Sequence, residues 1–435
     1  MTVSKRFALI SAVNLVLIAA GWPFGLHLYL FIFYNLLIIG LFALDYVITP
    51  SPEKCVAAER GENNKLYYKT DNQIDFNIFN NSRYYLTIQA KDAISDRHFI
   101  ITDEYLKYKI PPGRDEKFFY SCVPTKRGAF TFPEIYIRVY GLMGLCVKYS
   151  TINCPGEFKI FPNVKDIGKY RIMTQNNRLL PRGEKKLRFY GDGMEFESLR
   201  PYVEGDDYRS INWMATAREN RLTVNRYQME KNQPVMILID AGRPMSYTLH
   251  GYKKLDYAIN AALILSDTIN YQNDSSGMLV FDAELKNHIP PGKGAVHRTQ
   301  FMEALYHIQE TRQTSDFEAA FRLLCTRQKR RSLVFIFTDF EIPEEADSFI
   351  KHIAFLKKYH MPVLTFMKDE NLNALADMQV FNKKDKVLRE VANEFKDERK
   401  NFYQKLNAMR IPNIECEAER FTTTAVNQYL SMRNF

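Results

Sequence analysis

Hydrophobic and polar positions divide the chain into three regimes. From position 7 to 44 there is no Asp, Glu, Lys or Arg. Two apolar runs, 7–20 and 26–44, flank the turn composition Gly21-Trp22-Pro23-Phe24-Gly25. A membrane-spanning helix needs roughly 20 residues. The second run meets that length, and the first meets it if it continues through Trp22 and Pro23. The pattern predicts a transmembrane helical hairpin over 1–48, with Trp22, Tyr29 and Tyr46 as interfacial anchors. Lys5 and Arg6 precede the first run, and Lys54, Arg60 and Lys65 follow the second. Both ends of such a hairpin share one side, and positive charge assigns that side to the cytoplasm. A cleaved leader is the competing reading, with Lys5-Arg6, an apolar stretch over 7–18 and small residues Ala19-Ala20-Gly21. The second apolar run following at once favours the hairpin.

After a short linker over 45–60, the pattern over 65–161 becomes short β-rich runs at 74–79, 84–90, 118–123 and 135–139. Several alternate with period two, and Asn80-Asn81, Pro111-Pro112-Gly113 and Lys126-Arg127-Gly128 separate them. This predicts an antiparallel β-sandwich over 49–163. Residues 164–233 read as a polar connector. From 234 to 435 unbroken apolar strands (235–239, 277–281, 332–337, 362–366 and 411–415) alternate with helical segments (255–269, 298–309, 316–327, 344–358, 386–408 and 423–432). That is the pattern of a mostly parallel sheet covered on both faces. Such sheets bind ligands outside the strand carboxyl ends, which puts Asp240 and Asp339 on one functional edge. The charged stretch 383–399 reads as a solvated helix face.

Composition narrows the classes. The 435 residues are 46% hydrophobic and 25% charged, which excludes a disordered polymer and leaves room for two or three domains. Net charge is +9, from 59 basic and 50 acidic residues. This mild excess without a long basic block suits the face of an anionic membrane and gives no reason to expect nucleic acid. Cys55, Cys122, Cys146, Cys154, Cys325 and Cys416 form no C-x-x-C pair and have no histidine at zinc spacing. They read as thiols in a reducing compartment.

The densest polar segment runs from Gly191 to Arg218. Arg200, Arg209 and Arg218 can each take a bidentate carboxylate from Glu195, Glu204 or Asp206, and Asp206 or Asp207 can cap a helix running to about Ala217. Trp213 lies inside the segment. No histidine is near, and no nucleophile has a base beside it, so catalysis is not expected. An ion network fixing the connector and a partner-binding surface made by Glu195, Arg200, Asp206, Arg209, Trp213 and Arg218 both remain open.

This segment closely resembles the signature of the DUF58 family: Gly191 to Phe196, Leu199 to Tyr202, Gly205 to Trp213, then Ala217-Arg218. Pro124 to Gly128, with Gly141-Leu142 and Gly144-Leu145, resembles a further family region. The resemblance implies a C-terminal von Willebrand factor A-like (Rossmann-type) α/β domain. It also implies a MoxR-type AAA+ ATPase as partner, and so a membrane-anchored, cytoplasm-facing scaffold or adaptor in assembly or maturation of envelope complexes. The resemblance has a metal corollary. Von Willebrand A domains often hold Mg²⁺ in a D-x-S-x-S loop helped by a Thr and a second Asp. Here that loop reads Asp240-Ala241-Gly242-Arg243-Pro244. Both hydroxyls are lost, Asp339 matches the second Asp, and Thr314 or Ser315 supplies the third loop. The expectation is a vestigial site with no cofactor, in which Asp240 caps a helix or pairs with Arg243. A Mg²⁺-dependent binder of a partner carboxylate is the alternative, and an uncharacterised hydrolase ranks behind it.

Overall fold

The computed structural model describes residues 2–21, 27–61, 64–94, 97–101, 106–162, 194–204, 206, 208–229, 233–340 and 343–433. Trp22 and the rest of the expected turn, the connector residues 164–188, and Gly191 and Gly193 lie outside the described residues. The chain divides into two compact units, Met1–Asn163 and Val164–Phe435.

In the first unit a short strand, β1 (Thr2–Val3), precedes two helices, α1 (Lys5–Gly21) and α2 (His27–Ile48). The helices touch through the edge-on rings of Phe7 and Phe42, 5.2 Å apart. The Tyr34 hydroxyl also donates to the Ile10 carbonyl at 2.8 Å. Their outer faces carry exposed apolar side chains, among them Leu9, Val16, Phe33, Leu36, Ile39 and Val47. A water-soluble surface seldom presents so continuous an apolar face. Among the described residues, one helical stretch, Phe31–Cys55, is long and apolar enough to cross a membrane.

The expected linker is instead structured. A single turn, α3 (Pro52–Cys55), leads directly into β2 (Val56–Arg60). Asp45 is fully buried. Its carboxylate accepts the backbone N–H groups of Met143 (2.8 Å), Leu145 (2.9 Å) and Cys146 (3.0 Å). Gly141 is needed there, because a Cβ at that position would sit 2.2 Å from Asp45 Oδ2. Thr2 and Val3 pair antiparallel with Val147 and Cys146, so the chain before α1 and the end of α2 meet the same turn.

The strands that follow are β3 (Lys65–Tyr67), β4 (Asn72–Asn80), β5 (Leu86–Asp92), β6 (Phe99–Ile101), β7 (Leu106–Ile110), β8 (Asp115–Pro124), β9 (Gly128–Tyr140) and β10 (Cys146–Phe161). One sheet has the order β1-β10-β9-β5-β7 with β3 beside β10, and the other has the order β2-β4-β8-β6. The period-two pattern explains the packing. Ile74, Phe76 and Ile78 of β4 are buried while the residues between them are not. Rings interlock from one sheet to the other, Tyr108 with Phe118 at 4.6 Å and Phe99 with Phe132 at 5.2 Å. Inside the sandwich Arg60 makes a bidentate pair with Asp92 (2.6 and 2.8 Å), and the Tyr120 hydroxyl donates to the same carboxylate at 2.9 Å.

The described part of the second unit begins with a hairpin that the sequence pattern did not reveal. It comprises β11 (Met194–Pro201), a short helix α4 (Trp213–Glu219) and β12 (Thr223–Met229), with the two strands antiparallel. The α/β body follows: β13 (Pro234–Asp240), the small hairpin β14 (Thr248–Leu249) and β15 (Tyr252–Lys253), α5 (Lys254–Tyr271), β16 (Ser275–Phe281), β17 (Leu285–Gly292), α6 (Gly294–Tyr306), α7 (Phe317–Arg327), β18 (Leu333–Phe337), α8 (Pro343–Tyr359), β19 (Met361–Met367), α9 (Glu370–Ala376), α10 (Lys383–Ala408), β20 (Asn413–Cys416) and α11 (Phe421–Arg433). The sheet order is β17-β16-β13-β18-β19-β20, parallel except for the edge strand β17. That exception accommodates Pro290 and Pro291, which an edge tolerates and a central strand does not.

Alternate residues of β13 enter opposite cores. Val235, Ile237 and Ile239 pack with α5, α6 and α11, while Met236 and Leu238 pack with α7, α8 and the end of α10. Strand order reverses between β13 and β18, so the crevice at their carboxyl ends is the topological switch point.

Candidate partner-binding site

Asp240 ends β13 and Asp339 lies two positions past the end of β18, so both lie at the switch point. Both are buried, and both are engaged internally. Asp240 Oδ1 accepts Gly242 N–H at 2.8 Å and the Ser315 hydroxyl, and Oδ2 accepts the Thr338 hydroxyl at 2.6 Å. Burial pushes its carboxyl up to about 6 against those three hydrogen bonds, which pull the other way. Thr314 is exposed, and Ser315 is the hydroxyl that reaches Asp240. A Cβ at Gly242 would lie 2.1 Å from Ser315 Oγ. The hydroxyl missing from the loop is therefore replaced in space by one from another loop. Arg243 does not pair with Asp240 as expected. Its guanidinium reaches Glu345 at 2.7 Å.

Asp339 has a different set of partners. Lys254 Nζ lies 2.6 Å from Oδ2, Arg399 Nη1 lies 3.1 Å from Oδ1, and Phe340 N–H donates to Oδ1 at 2.9 Å. Burial alone would raise this carboxyl, but Arg399 and then Lys254 outweigh it and hold it below its ordinary value. Arg399 also donates to Glu415 (2.8 Å), to the Tyr403 hydroxyl (3.0 Å) and to the Met367 carbonyl (2.7 Å). The face of α10 read as solvated thus sends Arg399 into the sheet edge. Lys254 opens α5, the helix end that disfavours a cation, and Asp339 compensates for it.

These contacts fit a divalent ion poorly. Mg²⁺ needs open oxygen ligands, and an ion on Asp339 would meet the ammonium of Lys254. Among the described residues, no group of three or more His, Cys, Asp or Glu side chains is placed to hold a metal.

Beside Asp339 opens a cavity of ≈ 320 Å³. Its wall is largely apolar, with Phe340, Phe366, Leu372, Phe395 and Phe402, and its polar members include Lys254, Asp339, Asp369, Glu398, Arg399 and Tyr403. No local pattern in the sequence marks this cavity as a whole, because its wall comes from α5, α8, β19, α9 and α10 and from the loops after β13 and β18. One signal was present: Phe395, Arg399, Phe402 and Leu406 recur at helical spacing within a stretch that is otherwise charged.

In the hairpin, Arg200 makes the bidentate pair with Asp206 (2.7 and 2.8 Å), and Val203 N–H donates to the same carboxylate at 3.0 Å. The short helix α4 is capped by Asn212, which accepts Ala215 N–H at 2.9 Å. Trp213 and Arg218 are exposed, Trp213 to 67%. Tyr208 and Met214 are exposed as well. The backbone of Glu195 lies in β11 opposite Gln228. The side chains of Glu195 and Arg209, and all of Asp207, lie outside the described residues.

Residues 198–411 match the family model described as protein of unknown function DUF58. The DUF58 match takes in most of the hairpin, both buried carboxylates, Lys254 and Arg399. The uncharacterized proteins Mb1516 of Mycobacterium bovis and Rv1480 of Mycobacterium tuberculosis are each 22% identical over 152 residues, 34% of this chain. The chain spans about half (48%) of the length of these curated relatives. Among solved structures, the conserved hypothetical protein BatB from Bacteroides thetaiotaomicron is similar at 13% identity, covering 46% of this chain and 98% of its own, with a TM-score of 0.27. A cohesin module from a Clostridium perfringens family 33 glycoside hydrolase is similar at 11% identity, covering 24% and 96%, with a TM-score of 0.19.

Proposed function

We propose that this chain is a non-enzymatic, membrane-anchored protein-binding scaffold. Its soluble units face the cytoplasm, and it works with a MoxR-type AAA+ ATPase in assembly or maturation of envelope complexes. One observation carries the binding part of this reading. At the switch point both carboxylates are committed to internal partners, while the adjacent cavity is walled by aromatic side chains, which suits recognition better than proton transfer. The strand order with one antiparallel edge supports a von Willebrand A-type body. A two-span anchor gains support from β1 and Asp45, which return both ends of the helical pair to one turn of the sandwich. The ATPase rests on the family resemblance.

The test is affinity capture of the tagged full chain from its native membrane under nucleotide-trapping conditions, with mass spectrometry of what co-purifies. A stoichiometric AAA+ ATPase, diminished by Leu372→Arg, is the expected result. No retained protein under any nucleotide condition overturns the reading. Reporter fusions at the carboxyl terminus test the orientation, and an extracytoplasmic signal overturns it. The Mg²⁺-dependent reading has the convergence of Ser315 and Thr338 on Asp240 in its favour. It requires a rise in melting temperature with millimolar Mg²⁺.

A further inference from the structure

The amino-terminal half of α10 continues an apolar face that the sheet no longer covers. Phe402 and Leu406 are buried in the core. Two to four turns before Phe402, Phe395, Val391, Leu388 and Val387 remain exposed at i, i+4 and i+7 spacing, Val387 to 57%. This stripe runs along the helix into the cavity beside Asp339, where Phe395 forms part of the wall. The preceding loop adds Phe381, 83% exposed.

The charges at the cavity are unequal in their commitments. Lys254 and Arg399 are tied to Asp339, and Arg399 also to Glu415. The Asp369 carboxylate accepts one hydrogen bond, from Leu372 N–H at 3.1 Å. Glu398 is half-buried in the cavity wall and has no hydrogen bond or ion pair among the described residues. The charge available to an incoming group is therefore negative, in an aromatic setting. An anionic lipid surface is the wrong sign for it. A cationic side chain with an apolar stem matches it on both counts, because the stem lies along phenyl faces and the head pairs with carboxylate.

We infer that the cavity and the α10 stripe form one docking groove for a helical segment of a partner protein. That segment places a Lys or Arg against Glu398 and Asp369, and apolar residues three to four positions apart along Phe395, Val391 and Val387. This inference rests on the protein-binding reading above and names the chemistry of its partner.

The test uses the full chain in phosphatidylcholine nanodiscs, screened against a displayed library of random 16-residue peptides, with the selected peptides measured by fluorescence anisotropy. Selected peptides are expected to carry a basic residue with apolar residues three or four positions away. Their affinity should fall at least tenfold in Glu398→Lys and in Val391→Asp, with melting temperatures unchanged for both surface variants. Three results overturn the inference: no peptide selected, peptides without a basic residue, or peptides indifferent to both substitutions. Retention on phosphatidylglycerol vesicles that Val391→Asp abolishes also overturns it, by making a membrane the occupant. If partner capture from the native membrane survives both substitutions, the groove falls and the scaffold reading stands. If nothing is captured by the unsubstituted chain, the scaffold reading falls as well.

Discussion

Replacing Lys254 with Met removes one of two cations from a carboxylate that has almost no access to water. The Lys254 and Asp339 side chains are 7% and 3% exposed, with 2.6 Å between Nζ and Oδ2. Breaking a buried pair costs about 3–5 kcal/mol, because the surviving charge keeps its desolvation penalty. Here Arg399 stays 3.1 Å from the same carboxylate, so the lower end applies, about 3 kcal/mol. Hydrogen exchange of the central strands β13 and β18 at pH 7 reads that opening free energy directly. A loss of about 3 kcal/mol accelerates exchange roughly 100-fold. The double variant Lys254→Met/Asp339→Asn should recover at least about 1 kcal/mol, since the residues are in contact and their effects do not add. The pH dependence has a definite sign. The folded-state pKa of Asp339 is depressed, so the stability its ionisation supplies is present above the ordinary value of 3.8 and is lost as pH falls through the lower folded value. The gap between the unsubstituted chain and Lys254→Met is therefore widest at neutral pH and closes in acid. An acceleration under about fivefold at pH 7, or a gap that widens in acid, refutes the reasoning.

Asp240 should behave oppositely. Its folded-state pKa is raised from 3.8 to about 6, so its contribution is fully present below 3.8 and lost as pH rises through about 6. The unsubstituted chain should gain about 2 kcal/mol on Asp240→Asn between pH 7 and pH 4, measured as a difference in melting temperature, and a pH-independent difference would contradict this. Gly141→Ala drives a Cβ to 2.2 Å from Asp45 Oδ2. It should cost about 1–3 kcal/mol and speed exchange of the Met143, Leu145 and Cys146 amides, and unchanged protection there would remove Asp45 as their anchor. Arg200→Ala breaks a pair whose arginine is 41% exposed, so it should cost about 1 kcal/mol or less. A larger loss of melting temperature would make the hairpin network a structural keystone.

The parts of the fold legible in the sequence were those with one strong period. The β4 stretch alternates and forms a strand, and β13 and β18 are unbroken apolar runs and lie in the middle of a parallel sheet. The edge strand β17 escaped notice because its two prolines argue against a strand until the strand is known to lie at an edge. The β11–β12 hairpin was hidden by polarity, since Glu195, Glu197 and Arg200 obscure the alternation in Met194–Pro201. Aspartate, a common helix cap, drew attention to Asp206, but the bidentate arginine holds that carboxylate and leaves Asn212 to start α4. At the sheet edge Asp240 and Asp339 could be placed from strand ends alone. Lys254 and Arg399 could not, because a lysine opening one helix and an arginine in a charged helix become partners of Asp339 only after three crossovers bring them together. Nothing local in the sequence records that long-range pairing.

The clasp at Asp45 bears on mechanics. A carboxylate held by three amides, with β1 zipped onto the same turn, leaves no swivel between the apolar helices and the sandwich. Torque or tension applied to the sandwich would be passed to the helices as through a welded bracket, with little lost in slack chain. Whatever pulls on this end of the molecule would feel the stiffness of a folded joint where the order of residues alone suggested a tether.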